Sequence, residues 1–258
     1  MTVVAHHLKI ADVGAVDLTM TESGEGPAFL LLHGGAGPQS MTGFAESLAS
    51  ARGVRTIAPT HPGFGGTARP SGHASIAGLA RLYAALLDEL DLRDVTLVGT
   101  SVGGWIAAEL ALIHSPRIGR LVLLDAVGLE VQEHPIADFF SLSMDAVFKL
   151  SFHDPAAFRI DPSTLPPAAQ AVAVGNRAAL DVYAGTAMSD PTLRDRLGAV
   201  DVPALVLWGD SDGIVDPRYG QAYAAAIPQA QFHVLPKCGH LPQLEAPELV
   251  IAAMQGFS

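Results

Sequence analysis

The 258 residues include a single cysteine, Cys238. No disulfide can form within the chain, and no cysteine-based zinc site can be built. Charged side chains are also scarce, at 16% against 49% hydrophobic, which marks a folded chain rather than a disordered one. Lys and Arg number 15 against 26 Asp and Glu, for a formal net charge of -11. The basic residues never cluster, which argues against a nucleic-acid groove or a polybasic membrane patch and leaves the acidity to serve solubility. No apolar run approaches the roughly 18 residues of a membrane helix. The opening "MTVVAHHLKIADVG" lacks a basic region followed by an apolar stretch. A soluble cytoplasmic protein is expected, with neither nucleic acid nor membrane as partner. The chain has no repeat and no low-complexity tract, and its length suits one domain or a domain with an insertion.

The apolar runs that are present are short. "HHLKIAD" and "AVDLTMTESG" alternate in polarity and read as strands, and "GEG" makes a turn. The next runs are almost wholly apolar: "PAFLLLHGG", "GVRTIAPTHPG", "DVTLVGTS", "RLVLLDAVG", "PALVLWGDSD" and "AQFHVLPKCGH". Such runs, bounded by Gly, Pro or Asp, suit strands buried on both faces of a mostly parallel sheet. Helix-like segments alternate with them. "SIAGLARLYAALLDEL" carries Ser75 as a cap, and "VGGWIAAELALIHSP" is predicted to run until Pro116 stops it. "PRYGQAYAAAIP" and "PELVIAAMQGF" each open on a proline, a favoured first-turn residue. Strand then helix, repeated, is the doubly wound α/β pattern. Residues 128–190 break the rhythm, since no strand signal occurs there. They are read as a helical insertion between two parts, 1–127 and 191–258, of one core domain.

"LVGTSVGGW", residues 97–105, places a serine among three glycines where a strand should pass into a helix. Gly99-Thr100-Ser101-Val102-Gly103 fits G-x-S-x-G, in which a strained turn projects the serine Oγ from the sheet and the glycines let strand and helix approach. Neither phosphate-loop pattern occurs at this strand, and "GFGGT" (63–67) reads as a surface loop. A serine nucleophile needs a base. Of ten histidines, His6, His7, His73 and His114 lie in ordinary strand, loop or helix contexts, His134 and His153 lie in the insertion, and His233 lies inside a strand. His240, in the loop after the last strand, can reach a serine on another strand. The imidazole needs an acid. Asp210, Asp212 and Asp216 follow one buried strand, Asp125 ends a neighbouring one, and spacing does not choose among them. An oxyanion needs backbone donors. Val102 opens a helix, so its N–H is free, and the small residues after His33 make Gly35 the second candidate, with Ala36 next.

The order Ser101, Asp, His240, on these alternating units, resembles the α/β-hydrolase fold. The pieces that carry the likeness are "LLHGGAG", "APTHPGFGGT", "LVGTSVGGW", "LVLLDAVG", "LWGDSDGIVDP" and "CGHLPQLEAPE", and they span nearly the whole chain outside the insertion. The resemblance implies Asp212 as the acid, four residues after the Trp of the W-G-x-x-D pattern. It also implies that the insertion is a variable lid. Lid and pocket candidates are His33, Phe139, Phe140, Met144, Phe148, Arg177 and Leu241, the aromatics fitting core packing equally well.

The expected activity is carboxylesterase-like hydrolysis of a small, partly apolar ester through an acyl-enzyme, with no cofactor and no metal. The expected partner is a small-molecule substrate, with a homodimer left open. Dehalogenases and epoxide hydrolases of this fold carry an Asp nucleophile, which Ser101 replaces. Ring-fission C–C hydrolases carry Asn before the nucleophile and Trp after the base, where this chain has Thr100 and Leu241. Arg177 in "GNRAAL" could serve as their lid arginine. The triad is also compatible with perhydrolase chemistry and with a non-hydrolytic small-molecule receptor.

Overall fold

A computed structural model describes residues 2–10, 14–70, 74–161 and 164–257, so His73 and residues 162–163 of the insertion lie outside the described residues. Eight strands form one sheet: β1 (Thr2–Ile10), β2 (Gly14–Ser23), β3 (Ala28–Leu32), β4 (Arg55–Pro59), β5 (Val95–Thr100), β6 (Ile118–Leu124), β7 (Ala204–Gly209) and β8 (Gln231–Leu235). Their order is β1-β2-β4-β3-β5-β6-β7-β8. Every pairing from β4 to β8 is parallel, and β1 and β2 add an antiparallel edge. The helices are α1 (Gln39–Arg52), α2 (Ile76–Glu89), α3 (Val102–Ala111), α4 (Met144–Ser151), α5 (Pro155–Phe158), α6 (Pro167–Ala184), α7 (Leu193–Arg196), α8 (Pro217–Ala226), α9 (Pro242–Glu245) and α10 (Pro247–Gln255). Among the described residues, no helix is long and apolar enough to cross a membrane.

Five of the six short apolar runs become central strands because both of their faces are covered; the sixth, "AQFHVLPKCGH", forms β8 at the edge of the sheet, where Gln231, His233 and Val234 are exposed. Side chains alternate across a strand. Leu30, Leu32, Leu97, Leu121, Leu123, Val206 and Trp208 therefore pack with α2, α3 and α8, through Leu79, Tyr83, Leu86, Ile106, Tyr219 and Tyr223. Phe29, Leu31, Val98, Val122, Leu124, Leu205 and Leu207 pack on the opposite face against Met41, Phe44 and Leu48 of α1 and Val250, Ile251 and Met254 of α10. Nearly all these side chains are fully buried, and burial of each large one contributes about 1.5–3 kcal/mol.

Helix ends follow local chemistry. Ser75 Oγ accepts the Gly78 N–H at 3.0 Å and starts α2. Gly53, at φ 61°, closes α1 in the left-handed conformation. Pro116 is not what stops α3. The helix ends at Ala111, and a tightened turn follows in which Ile113 N donates to Leu110 O and His114 N to Ala111 O. His114 then takes a positive φ of 56°.

Between β6 and β7 the described chain holds only helices, turns and one isolated bridge. That bridge joins Gly128 to Ser189, and Asp190 N donates to Gly128 O at 2.8 Å. The helical segment therefore leaves and rejoins the sheet at a single point. Its α6 packs over the loops after β3 and β4: Leu180 stands against Gly35, and Asn176 Oδ1 accepts the Gly65 N–H at 2.8 Å.

Candidate active site

Ser101 lies between β5 and α3 with φ 54° and ψ -122°, a conformation that costs a non-glycine residue about 1–3 kcal/mol. The neighbouring glycines do not share the strain, for none of Gly99, Gly103 and Gly104 has a positive φ. They are required by contact. A Cβ on Gly99 would lie 2.2 Å from Gly103 O, and one on Gly103 would lie 2.1 Å from Leu32 O. The serine turn is thus pressed against its own helix and against β3. Thr100, buried beside it, has its hydroxyl 3.4 Å from Gln243 Oε1.

The structure brings Ser101, His240 and Asp212 together from three strand ends. His240 Nε2 is 3.0 Å from Ser101 Oγ, and His240 Nδ1 is 2.8 Å from Asp212 Oδ2. Asp212 Oδ1 accepts the Ile214 and Val215 N–H groups at 2.8 and 3.1 Å. Trp208 Nε1 donates to Val215 O at 2.9 Å and so ties this loop to β7. Asp212 and His240 are buried while Ser101 remains half-buried. The other acids beside β7 are occupied elsewhere. Asp216 caps α8 and pairs with His134, and Asp210 accepts from Ser211 Oγ. Asp125 lies close by, its Oδ1 accepting Gly209 N–H at 2.8 Å.

Val102 is the first residue of α3, where a backbone N–H has no intrahelical acceptor. Gly34 stands beside the serine, for a Cβ on it would lie 3.0 Å from Ser101 Cβ.

His33, expected to face a substrate, has a different role. Its ring is buried and stacks on His61 with centroids 3.8 Å apart. His33 Nε2 accepts the His61 N–H at 3.1 Å, so Nδ1 carries the proton and donates to Gly34 O at 2.8 Å. His61 Nε2 donates to His33 O at 2.8 Å, and its Nδ1 accepts from the Tyr83 hydroxyl. The His33 ring is satisfied only as the neutral tautomer, because its Nε2 must accept a backbone N–H. Protonating His33 would set two N–H groups against each other in a desolvated site. Burial accordingly lowers the His33 pKa to about 4 and holds His61 well below the usual imidazole value.

A stability prediction follows from the sign of that shift. The unfolded histidine binds a proton near pH 6.5 and the folded one does not until about pH 4, so stability is full above 6.5 and falls as the pH drops between these values. His33 alone should remove about 3 kcal/mol over that window. Urea unfolding at pH 7 and pH 4.5 checks this, and a His33→Asn variant should show a markedly shallower slope.

The remaining candidate residues lie in or near the insertion. Arg177 of α6 donates to Phe139 O and Phe140 O at 3.0 and 2.9 Å, and lies 4.8 and 5.3 Å from their ring centroids. Among the described residues no carboxylate pairs with it. Phe148, Phe152 and Phe158 form a continuous stack. Met144 opens α4, 46% exposed, and Leu241 is buried next to His240. A surface cleft of about 500 Å³ lies apart from Ser101, lined by Arg81, Glu109, Ile113 and Arg196 among others.

Two supports went unread in the sequence. Glu245 accepts backbone N–H groups from Gly239, His153 and Asp154 at 2.5, 2.9 and 3.2 Å, and clamps the His240 loop to the insertion. The end of α4 does the same from the other side: Leu150 O accepts Gly213 N–H and Ser151 O accepts His240 N–H, both at 2.8 Å. An acid three residues into a helical turn carries no signal of such a role, and backbone carbonyls carry none at all.

A parallel sheet whose strand ends gather a half-exposed serine, a histidine and a buried aspartate defines a hydrolase scaffold. The chain belongs to the alpha/beta hydrolase family, whose model matches residues 29–253. It is 31% identical to a 2-hydroxymuconate semialdehyde hydrolase of Pseudomonas putida, over 92% of this chain and 88% of that one. Among solved structures it is similar to an esterase from Thermogutta terrifontis, with 26% identity, a TM-score of 0.78 and coverage of 98% and 97%. A bromoperoxidase from Bacillus anthracis shares the fold at 22% identity, with a TM-score of 0.79 over 98% of this chain and 99% of that one. The protein is a hydrolase.

Proposed function

We propose that the protein hydrolyses a small, partly apolar carboxylic ester through an acyl-enzyme on Ser101. The observation that carries this reading is the unbroken line from Ser101 Oγ through both nitrogens of His240 to Asp212. His240 Nε2 takes the serine proton as Oγ attacks the carbonyl, while Asp212 holds the other nitrogen protonated and stabilises the imidazolium. The N–H groups of Val102 and Gly35 receive the oxyanion. His240 then gives its proton to the leaving alcohol. A water attacks the acyl-enzyme by the same steps and returns the proton to Ser101. The helical insertion acts as the lid, and Phe139, Phe140 and Phe148 bias the site toward apolar groups.

A second reading has its own support. Arg177 holds a half-buried positive charge with no acid partner among the described residues, and it suits a carboxylate-bearing substrate such as a ring-fission product. The relative from Pseudomonas putida is named for a substrate of that kind.

The test is to treat the purified protein with a fluorophosphonate and follow p-nitrophenyl acetate and butyrate hydrolysis. One label per chain, on Ser101, with proportional loss of turnover is expected. Full labelling with no turnover on any ester, before or after, would instead mean a receptor or a C–C hydrolase. A dienoate ring-fission substrate then separates those two.

A further inference from the structure

Asp125 is a buried acid beside the site that the mechanism above leaves unused. It follows β6 with a positive φ of 46° and is fully buried. Its backbone N–H donates to Leu207 O at 3.1 Å, and its Oδ1 accepts the Gly209 N–H at 2.8 Å, so it is held by the strand next door. Its Oδ2 is buried and meets no donor among the described residues. Its neighbour is Asp212: one carboxylate oxygen of each and a ring nitrogen of His240 all lie within 4.8 Å of one another.

Two carboxylates in such a place cannot both be ionised at ordinary cost. Asp212 has the better claim to the charge, with two backbone N–H donors on one oxygen and His240 on the other. The other ionisable groups acting on Asp125 work the same way. Glu245 adds negative potential, and no Lys or Arg among the described residues opposes it. Cys238, also near, stays a thiol, its pKa pushed up to about 12 by burial and the surrounding acids. Burial and Asp212 together hold the Asp125 carboxyl well above the usual carboxylate range.

We propose that Asp125 is a protonated carboxylic acid that donates its O–H to the Asp212 carboxylate, making it a positioning residue for the Ser101–His240–Asp212 array. Oδ2, without a donor of its own, is the oxygen that carries the proton. The bond fills a lone pair that Asp212 could otherwise turn toward a different rotamer, and it spreads part of the Asp212 charge away from His240. The inference rests on the reading of that array as the reacting one, but its first test does not depend on activity.

The infrared difference spectrum of wild type minus Asp125→Asn at pH 8 should contain the C=O stretch of a protonated carboxylic acid. A carboxylate band in its place would overturn the proposal. The second test is the pH profile of kcat/KM. Asp125→Asn keeps an acceptor for Gly209 and a donor for Asp212, so kcat should stay within about threefold of wild type with the acidic limb unmoved. Were Asp125 ionised, removing its charge would move that limb to lower pH by about one unit, which would also overturn the proposal. Asp125→Ala should lower kcat about tenfold at nearly constant KM and move the limb upward, because Asp212 then bears its charge undiluted. An infrared signature as expected in a protein that hydrolyses no ester leaves the proton on Asp125 and removes only the esterase reading.

Discussion

Ser101→Ala should lower kcat/KM on aryl esters by at least about 10⁴-fold, or about 5.5 kcal/mol of barrier. The loss is that of the attacking atom, since His240 and Asp212 keep their own bond and the backbone donors are untouched. Folding should not suffer with activity. The serine occupies a backbone conformation that costs about 1–3 kcal/mol, so Ser101→Gly should be inactive and more stable than wild type by about 1 kcal/mol. Turnover and urea midpoint measured on both variants separate a chemical role from a structural one. Full activity in purified Ser101→Ala would remove the nucleophile from the site.

Gly103→Ala should cost about 3 kcal/mol or more in folding free energy. The added carbon would sit 2.1 Å from Leu32 O and 2.5 Å from His33 O, both backbone atoms of a buried strand end that has nowhere to move. Relief requires lifting the first turn of α3 from β3, which moves Ser101 and the Val102 N–H with it. Activity should therefore fall even in whatever fraction folds. Gly43→Ala is the matched comparison. Gly43 lies within α1 with nothing within 4 Å of its Cβ position, and that substitution should stabilise by about 0.5–1 kcal/mol. Equal effects at the two positions, read from denaturation midpoints, would refute the contact argument.

The two variants mark what could be read before the fold was known. The strands were legible because a strand covered on both faces must be apolar throughout, as Phe29–Leu32 and Leu121–Leu124 are. The serine turn was legible because its constraints are local: glycines two positions before and after are a record of backbones in contact. The end of α3 was misread, since Pro116 is a strong local signal and the tightened turn at His114 is not written in any residue type. The acid was ambiguous for another reason. Asp210, Asp212 and Asp216 differ in which way one loop turns, and that is fixed by Trp208 Nε1 and two backbone donors rather than by spacing. The exchange of hydrogen bonds between His33 and His61 across 28 positions lies further still from any sequence signal. His33 alone looks like a site residue, and only its pairing with His61 reveals a support for the loop that carries Gly34 and Gly35.

The junction of Gly128 with Ser189 and Asp190 bears on how this chain can change length. With both ends of the segment fastened at one point, β6 and β7 meet the same boundary whatever is spliced between them. The entropy of closing such a loop grows only with the logarithm of its length, so doubling it adds about 0.6 kcal/mol. Residues far from α4, whose last carbonyls hold the Gly213 and His240 loops, are thus open to insertion or exchange at little thermodynamic penalty. A library that varies the stretch between α5 and α6 in length should keep the sheet, as denaturation midpoints close to wild type would show.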